Sequence, residues 1–370
     1  MAERNPPKTR ALDFYKADKS ETQRPCFVKK KGLIMNANGW HPGSILELSG
    51  AFWKTCTLHA AVKLDVFTLI DARRLGAAEV AAQAGTEDDA TARLLDALTA
   101  MGLLIKEDGL YANTDAAAAY LSRSSDQYLG YMILHHHHLV DLWRNLDESV
   151  RTGRPVRGPH PGDDAEEEDE AEREAFLMGM YNNANLMAPE IVRQIDLKGR
   201  KRLLDMGGGP GTYAIWFCRQ YKELAAVVFD LPTTRPFAEK VIEEAGMSGR
   251  IGFAAGSYLV EDLPGGFDVV WMSHILHGEG FDDCDGMVQR AWNALEPGGM
   301  IIIHEFIMNN ERSGPAFPAL FSLNMLVATD EGRAYTEKEI SRMLEKSGFK
   351  DIRRLPWEGP TQSGLISAIK

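Results

Sequence analysis

Cysteine is scarce: Cys26, Cys56, Cys218 and Cys284 are the only four in 370 residues, and no two form a Cys-x-x-Cys pair. That scatter excludes a disulfide framework and a zinc ligand set, and predicts reduced thiols. No apolar run reaches the roughly 20 residues that cross a bilayer. The N-terminus is polar and rich in Pro and Lys, with no signal-peptide core. A cytoplasmic protein without membrane contact is expected. There is no internal repeat. No acid-rich ligand set stands at fixed spacing, and His135 to His138 are consecutive and so spread around a helix, so no metal site is expected.

Charge is plentiful but uneven. The net charge of −12 is concentrated in residues 163–174, which hold nine acids and one arginine. This run follows Gly-Pro-His-Pro-Gly at 158–162, a loop signal, and reads as a solvated helix start, where carboxylates favour the dipole. The first 31 residues lean basic and end in Lys29, Lys30 and Lys31. They read as an arm.

Length allows two domains. Apolar residues recur at near-helical spacing over 46–75, and again over 77–84 and 88–101. Gly102 to Ile105, a turn at Glu107-Asp108-Gly109, and Leu110-Tyr111 predict a small hairpin. Three helices and a hairpin make a winged helix. As a DNA reader it is poorly equipped: helix 88–101 offers Arg93 against Asp88, Asp89 and Asp96, whereas phosphate contact needs clustered bases. Protein contact is the better use, and no nucleic-acid partner is expected. Helices near 126–152 and 170–195 follow. From Lys201 onward, strands at 202–206, 225–229, 251–254, 268–273 and 300–304 alternate with helices, which predicts a parallel α/β sheet. Strands at 350–356 and 363–369 add an antiparallel edge. The expected division is an arm at 1–45, a winged helix at 46–125, inter-domain helices at 126–200 and a cofactor domain at 201–370.

The most informative stretch is Leu-Leu-Asp-Met-Gly-Gly-Gly-Pro-Gly at 203–211, with Asp230 in Phe-Asp-Leu-Pro nineteen residues past Gly211. A buried strand ends at Asp205 and Met206. Gly207, Gly209 and Gly211 then allow positive φ and close approach of a ligand. A helix and a second strand follow, and Asp230 is placed to take ribose hydroxyls at the carboxyl edge of the sheet. A dinucleotide fingerprint would read Gly-x-Gly-x-x-Gly. Here the spacing is Gly207-x-Gly209-x-Gly211, and an acid stands two residues before it. A pyrophosphate gains nothing from that carboxylate, whereas a cationic nucleoside does. S-adenosylmethionine, with its ammonium, sulfonium and ribose, fits.

Two further strands carry candidate chemistry. Asp268 to Ser273 runs into His274-Ile275-Leu276-His277, and Met300 to His304 ends at Glu305. If the two strands are neighbours, His277 and Glu305 meet beside the cofactor. A neutral imidazole then takes a proton from an acceptor hydroxyl while the carboxylate orients it.

The chain resembles the plant-type, metal-independent small-molecule O-methyltransferases, the family of caffeate and acetylserotonin O-methyltransferases and many bacterial tailoring enzymes. The resemblance spans 45–370. It rests on the glycine motif at 204–211, Phe-Asp-Leu-Pro at 229–232, Ile-Leu-His at 275–277, Glu-Pro-Gly-Gly at 296–299 and Tyr-Thr-Glu-Lys-Glu-Ile at 335–340. It implies a class I methyltransferase fold, a Rossmann-like seven-stranded α/β sheet with a helical winged-helix dimerisation domain. It also implies a homodimer formed through that domain, and S-adenosylmethionine converted to S-adenosylhomocysteine. His277 becomes the base and Glu305 its acid partner. Gly207 lies near the methionyl amine, Asp230 and the adjoining Leu231 near the ribose, Ser257 and Tyr258 on the adenine side, and Ser273 at a strand end that touches cofactor. The acceptor pocket draws on Phe176, Met180, Asn183, Phe321 and Met325, with His138 as a further member. Methionines suit aromatic acceptors because they are flexible and pack sulfur on rings.

Two positions depart from the family pattern. Ser257 stands where Asp is usual, and Ala334 falls where a second acid would flank the base. Some relatives on this scaffold have given up methylation for decarboxylation or hydroxylation. A cofactor-binding enzyme that does not methylate is therefore the alternative, with a winged-helix regulator behind it. Retention of His277 and Glu305 favours methylation of a phenolic hydroxyl on a small aromatic metabolite.

Overall fold

A computed structural model describes residues 40–156 and 170–370. Most of the expected arm, with Lys29 to Lys31 and Cys26, and the acids at 163–169 lie outside those residues. The described chain forms two compact units, divided between Gly50 and Ala51. The first contains one helix, Pro42–Ser49, capped by His41, whose Nδ1 accepts the Ser44 N–H at 3.3 Å.

The second unit begins with helices Phe52–Lys63, Val66–Ile70, Ala77–Ala84 and Asp88–Ala100. Between and after them run β1 (Leu75–Gly76), β2 (Leu104–Glu107) and β3 (Leu110–Asn113), antiparallel in the order β1-β3-β2. The single helix expected over 46–75 is broken twice, at Gly50 and at Asp65. Asp65 adopts φ 57°, a left-handed conformation that no helix continues through, and its carboxylate accepts the Thr68 hydroxyl at 2.9 Å. Val62, Phe67, Ile70, Val80, Leu95, Leu98 and Tyr111 form the small core. Helices Asp115–Leu121, Gly130–Trp143, Leu146–Thr152 and Glu170–Gln194 lead out of it.

The large sheet comprises β4 (Arg202–Met206), β5 (Ala225–Asp230), β6 (Ile251–Ala255), β7 (Phe267–Ser273), β8 (Leu295–Glu305), β9 (Lys350–Glu358) and β10 (Gly364–Ile369). Their order is β6-β5-β4-β7-β8-β10-β9, with β10 antiparallel to both neighbours and the other pairs parallel. The seven strands match the expected fold class. The order reverses between β4 and β7, so the crevice for a ligand opens at their carboxyl ends. β8 starts at Leu295, earlier than expected. An irregularity in its pairing with β7 absorbs the Pro-Gly-Gly segment, where Gly298 takes φ 76°.

Side chains alternate across the sheet. Trp271, Ile302 and Val228 face helix Thr212–Gln220 and pack with Phe217, while Met206, Val270, Met272 and Ile303 face the other layer with Met287 and Leu344. No helix among the described residues is long and apolar enough to cross a membrane.

Candidate active site

The glycine turn joins β4 to helix Thr212–Gln220. Gly207, Gly209 and Gly211 take φ of 65°, 52° and 80°. Their surroundings differ. A Cβ at Gly207 would lie 2.7 Å from Ile275 Cγ2 and 3.3 Å from Tyr258 Cε1. One at Gly211 would lie 3.1 Å from Val228. One at Gly209 would meet nothing within 4 Å, so its face is open to a ligand.

Two carboxylates brace this turn. Asp205 is 1% exposed, and its Oδ2 accepts the Ala214 N–H at 3.1 Å in the first turn of the helix. Burial, with the Asp230 charge adding to it, pushes its carboxyl up to about 7. Asp230 accepts the N–H of Gly209 at 2.8 Å, that of Leu231 at 2.7 Å and the Thr234 hydroxyl at 2.9 Å. Burial raises its carboxyl despite those donors. The predicted ribose ligand thus also holds the turn.

Across the crevice, Tyr258 packs on Gly207, and burial and the Glu279 carboxylate push its phenol well above the usual tyrosine range. Ser257 donates its N–H to Glu261 at 2.9 Å. The register pairs Met206 with Met272, so Ser273 lies level with Gly207. Leu231, just past β5, is 46% exposed.

β7 and β8 are neighbours, and they bring His277 to Glu305. The Glu305 side chain is 3% exposed, and that of His277 is 15% exposed. Glu305 Oε1 accepts the N–H groups of Leu276 at 3.0 Å and His277 at 3.3 Å. Its Oε2 accepts the Phe306 N–H at 2.9 Å and lies 3.0 Å from His277 Nδ1. Burial opposes its ionisation, yet His277 and His274 hold the carboxyl well below the usual glutamate range. An ionised carboxylate only accepts, so Nδ1 carries a proton, and in the neutral imidazole Nε2 is left with the lone pair. The Phe321 ring stands edge-on to the imidazole at 4.7 Å, and Phe306 is stacked at 5.7 Å.

His274 has φ 56° and is missed by sequence reasoning as a neighbour of this pair. Its Nδ1 is 3.8 Å from Glu305 Oε2. The donor atoms of His274, His277 and Glu305 lie within 4.8 Å of one another, a spacing one cation could bridge. The four donors already on Glu305 account for its charge without an ion. Ala334 is fully buried and supplies no second acid. Its segment instead grips the turn that carries His277 through the Arg333 N–H, which donates to the His277 carbonyl at 2.8 Å.

The predicted pocket residues come from three helices. Phe321 and Met325 lie on Ala316–Ala328, which contacts the turn at Leu276–Gly278. Phe176, Met180 and Asn183 share one face of Glu170–Gln194 by their spacing. His138 lies on Gly130–Trp143, packed against that helix. Phe321 reaches His277 directly, whereas the Phe176 ring meets His135 at 5.3 Å. The tie between Trp143 and Asn324 was not foreseen: Trp143 Nε1–H donates to Asn324 Oδ1 at 2.7 Å, joining two of these helices. They are 181 residues apart, so no local pattern marks them.

Comparison with known proteins gives concordant matches. A family model described as the O-methyltransferase domain matches residues 143–350, and one described as the O-methyltransferase dimerisation domain matches residues 46–123. The 3-hydroxy-5-methyl-1-naphthoate 3-O-methyltransferase of Streptomyces sahachiroi is 35% identical, across 89% of this chain and 95% of its own. The tetracenomycin polyketide synthesis 8-O-methyl transferase of Streptomyces glaucescens is 34% identical, across 86% and 94%. The crystal structure of human N-acetylserotonin methyltransferase in complex with SAM superposes with a TM-score of 0.76 at 27% identity, covering 91% of this chain and 99% of that one.

Proposed function

Because the chain belongs to the O-methyltransferase family and is an S-adenosylmethionine-dependent O-methyltransferase of small molecules, we propose that His277 is its general base and that the acceptor is a phenolic hydroxyl of a polyketide-type aromatic. The 3.0 Å contact from His277 Nδ1 to Glu305 Oε2 carries this reading. It selects the tautomer of the neutral ring in which Nε2 carries the lone pair, and it holds the ring from a buried acid.

The cofactor supplies a sulfonium methyl for in-line attack by the acceptor oxygen. A free phenol titrates near 10 and a free imidazole near 6.5, so full deprotonation beforehand is uphill. His277 Nε2 therefore takes the proton as the oxygen–carbon bond forms, and Glu305 stabilises the imidazolium that results. One acid suffices for this in the absence of a counterpart at Ala334.

Gly207, Gly209 and Gly211 offer backbone to the cofactor, with Asp205 bracing the turn beneath. Asp230 and Leu231 serve the ribose side, Ser257 and Tyr258 the adenine side, and Ser273 the aminoacyl side. The open face of Gly209 supports this placement. Phe306, Phe321 and Met325 give the acceptor an aromatic, thioether-lined wall beside the base, with Phe176, Met180, Asn183 and His138 completing it. The relatives named for a hydroxynaphthoate and for tetracenomycin support a fused-ring acceptor.

The N-terminal module serves a homodimer. A dimerisation-domain model covers it, and Phe52 and Trp53 are 59% and 70% exposed on helix Phe52–Lys63, an apolar surface that a second subunit would bury. The same module lacks the base cluster for nucleic acid: Arg93 is paired with Asp89 at 2.5 Å. Incubation with S-adenosylmethionine and a panel of hydroxynaphthoates and hydroxylated polycyclic aromatics, read by mass spectrometry for one added methylene, tests the acceptor class. Methylation confined to amines or carbon centres would refute it.

A further inference from the structure

One buried polar cluster adjoins the cofactor site through Ser273 and is centred on a residue given no role above, His304. His304 is fully buried within β8, where an aliphatic residue would serve packing alone. Its imidazole is instead met by three hydroxyls from three different elements. Ser273 Oγ, at the end of β7, is 2.9 Å from Nδ1. Tyr213 Oη, from the first turn of the helix that follows the glycine turn, is 3.3 Å from the same nitrogen. Ser363 Oγ, just before β10, is 3.1 Å from Nε2. Trp271, His274 and Trp357 close around the ring.

Burying an imidazole is costly unless both nitrogens are satisfied. Here both are, and the ring is held neutral: burial, with His274 adding to it, keeps it well below the usual histidine range. A neutral imidazole has one donor and one acceptor. Two hydroxyls lie within reach of Nδ1 and one of Nε2; in the Nε2–H tautomer, Nδ1 accepts from Ser273 and Nε2 donates to Ser363. The Ser273 proton is thereby spent on His304, and its oxygen faces the crevice as an acceptor. The register places Ser273 level with Gly207.

We propose that His304 is a positioning residue for the cofactor, orienting the Ser273 hydroxyl so that its lone pairs receive the cofactor's ammonium. The inference rests on the assignment of Ser273 to the cofactor site. Tyr213 ties the same imidazole to the helix behind the glycine turn, so His304 couples both walls of the crevice.

The test is a double-mutant cycle read by calorimetric binding of S-adenosylhomocysteine, with KM for S-adenosylmethionine and kcat measured alongside. Ser273→Ala and His304→Leu should each weaken binding about tenfold, the scale of one lost hydrogen bond to a charged group. The loss should appear in KM for S-adenosylmethionine in both variants, so that kcat/KM for the cofactor falls further than kcat. The double variant should bind no more weakly than either single one. His304→Asn, which keeps an acceptor near the Nδ1 position, should recover most of the affinity. Unchanged binding by Ser273→Ala would remove that serine from the cofactor site. A Ser273→Ala loss that multiplies fully with the His304→Leu loss would spare the serine's role and overturn that of His304. Should His304→Leu fail to fold, Ser363→Ala releases the far side of the ring and runs the same cycle, with the same two outcomes deciding.

Discussion

His277 is bound to Glu305 twice, through its ring at 3.0 Å and through its backbone N–H at 3.3 Å. The acid therefore fixes both the imidazole and the turn that carries it. Glu305→Gln should lower kcat at least about a hundredfold, the scale of general-base catalysis. It should also destabilise the fold by about 1–3 kcal/mol, because an amide cannot accept on both sides. The folded carboxyl lies below its unfolded range, so its stabilisation is present above that range and fades as acid protonates the folded group. Urea unfolding across acidic pH should show a shallower acid limb in Glu305→Gln than in the parent.

Asp205 has the opposite sign. Its folded carboxyl sits at about 7, whereas an unfolded aspartate titrates near 3.9. Between those values the unfolded chain releases the proton and the folded one keeps it, so stability falls as pH rises and levels off above about 7. Urea midpoints across that window should decline in the parent and stay flatter in Asp205→Asn. Parallel slopes would place the titration elsewhere.

Gly207 and Gly209 should separate stability from binding. Both take positive φ, which costs a side chain roughly 1–2 kcal/mol. Gly207→Ala adds a 2.7 Å clash with Ile275 and should lower the Tm further than Gly209→Ala. Gly209→Ala meets no protein atom within 4 Å, so its main effect should be a KM for S-adenosylmethionine raised about tenfold or more. Unaltered KM in that variant would mean that the open face does not hold cofactor.

Phe321 stands edge-on to the His277 ring at 4.7 Å and is part of the proposed acceptor wall. Phe321→Ala should raise the acceptor KM about tenfold while leaving S-adenosylhomocysteine affinity within about twofold. Steady-state kinetics with each substrate varied in turn checks this.

Much of this was legible because the signals are local. β4 runs from Arg202 to Met206 as the apolar run and glycine stop require, and Asp230 follows the next strand at the expected edge. The meeting of His277 and Glu305 needed only that β7 and β8 be neighbours. Other features depend on tertiary placement. Asp65 reads as an ordinary helical residue, yet its left-handed φ splits the helix expected over 46–75. His304 looks like the end of an aliphatic strand, and its partners Tyr213 and Ser363 are 91 and 59 residues distant. Asp205 appeared in the sequence as a charge offered to the cofactor. The structure shows it beneath the turn, bonded to the helix N-terminus, where its burial matters as much as its charge.

The most direct test of the central claim pairs two measurements on His277→Ala: transfer of labelled methyl from S-adenosylmethionine to a competent phenolic acceptor, and calorimetric binding of S-adenosylhomocysteine. Removing a general base that does not hold the cofactor should cut transfer by about a hundredfold or more and leave the dissociation constant within about twofold. Transfer at the parent rate with binding intact would contradict the assignment of His277.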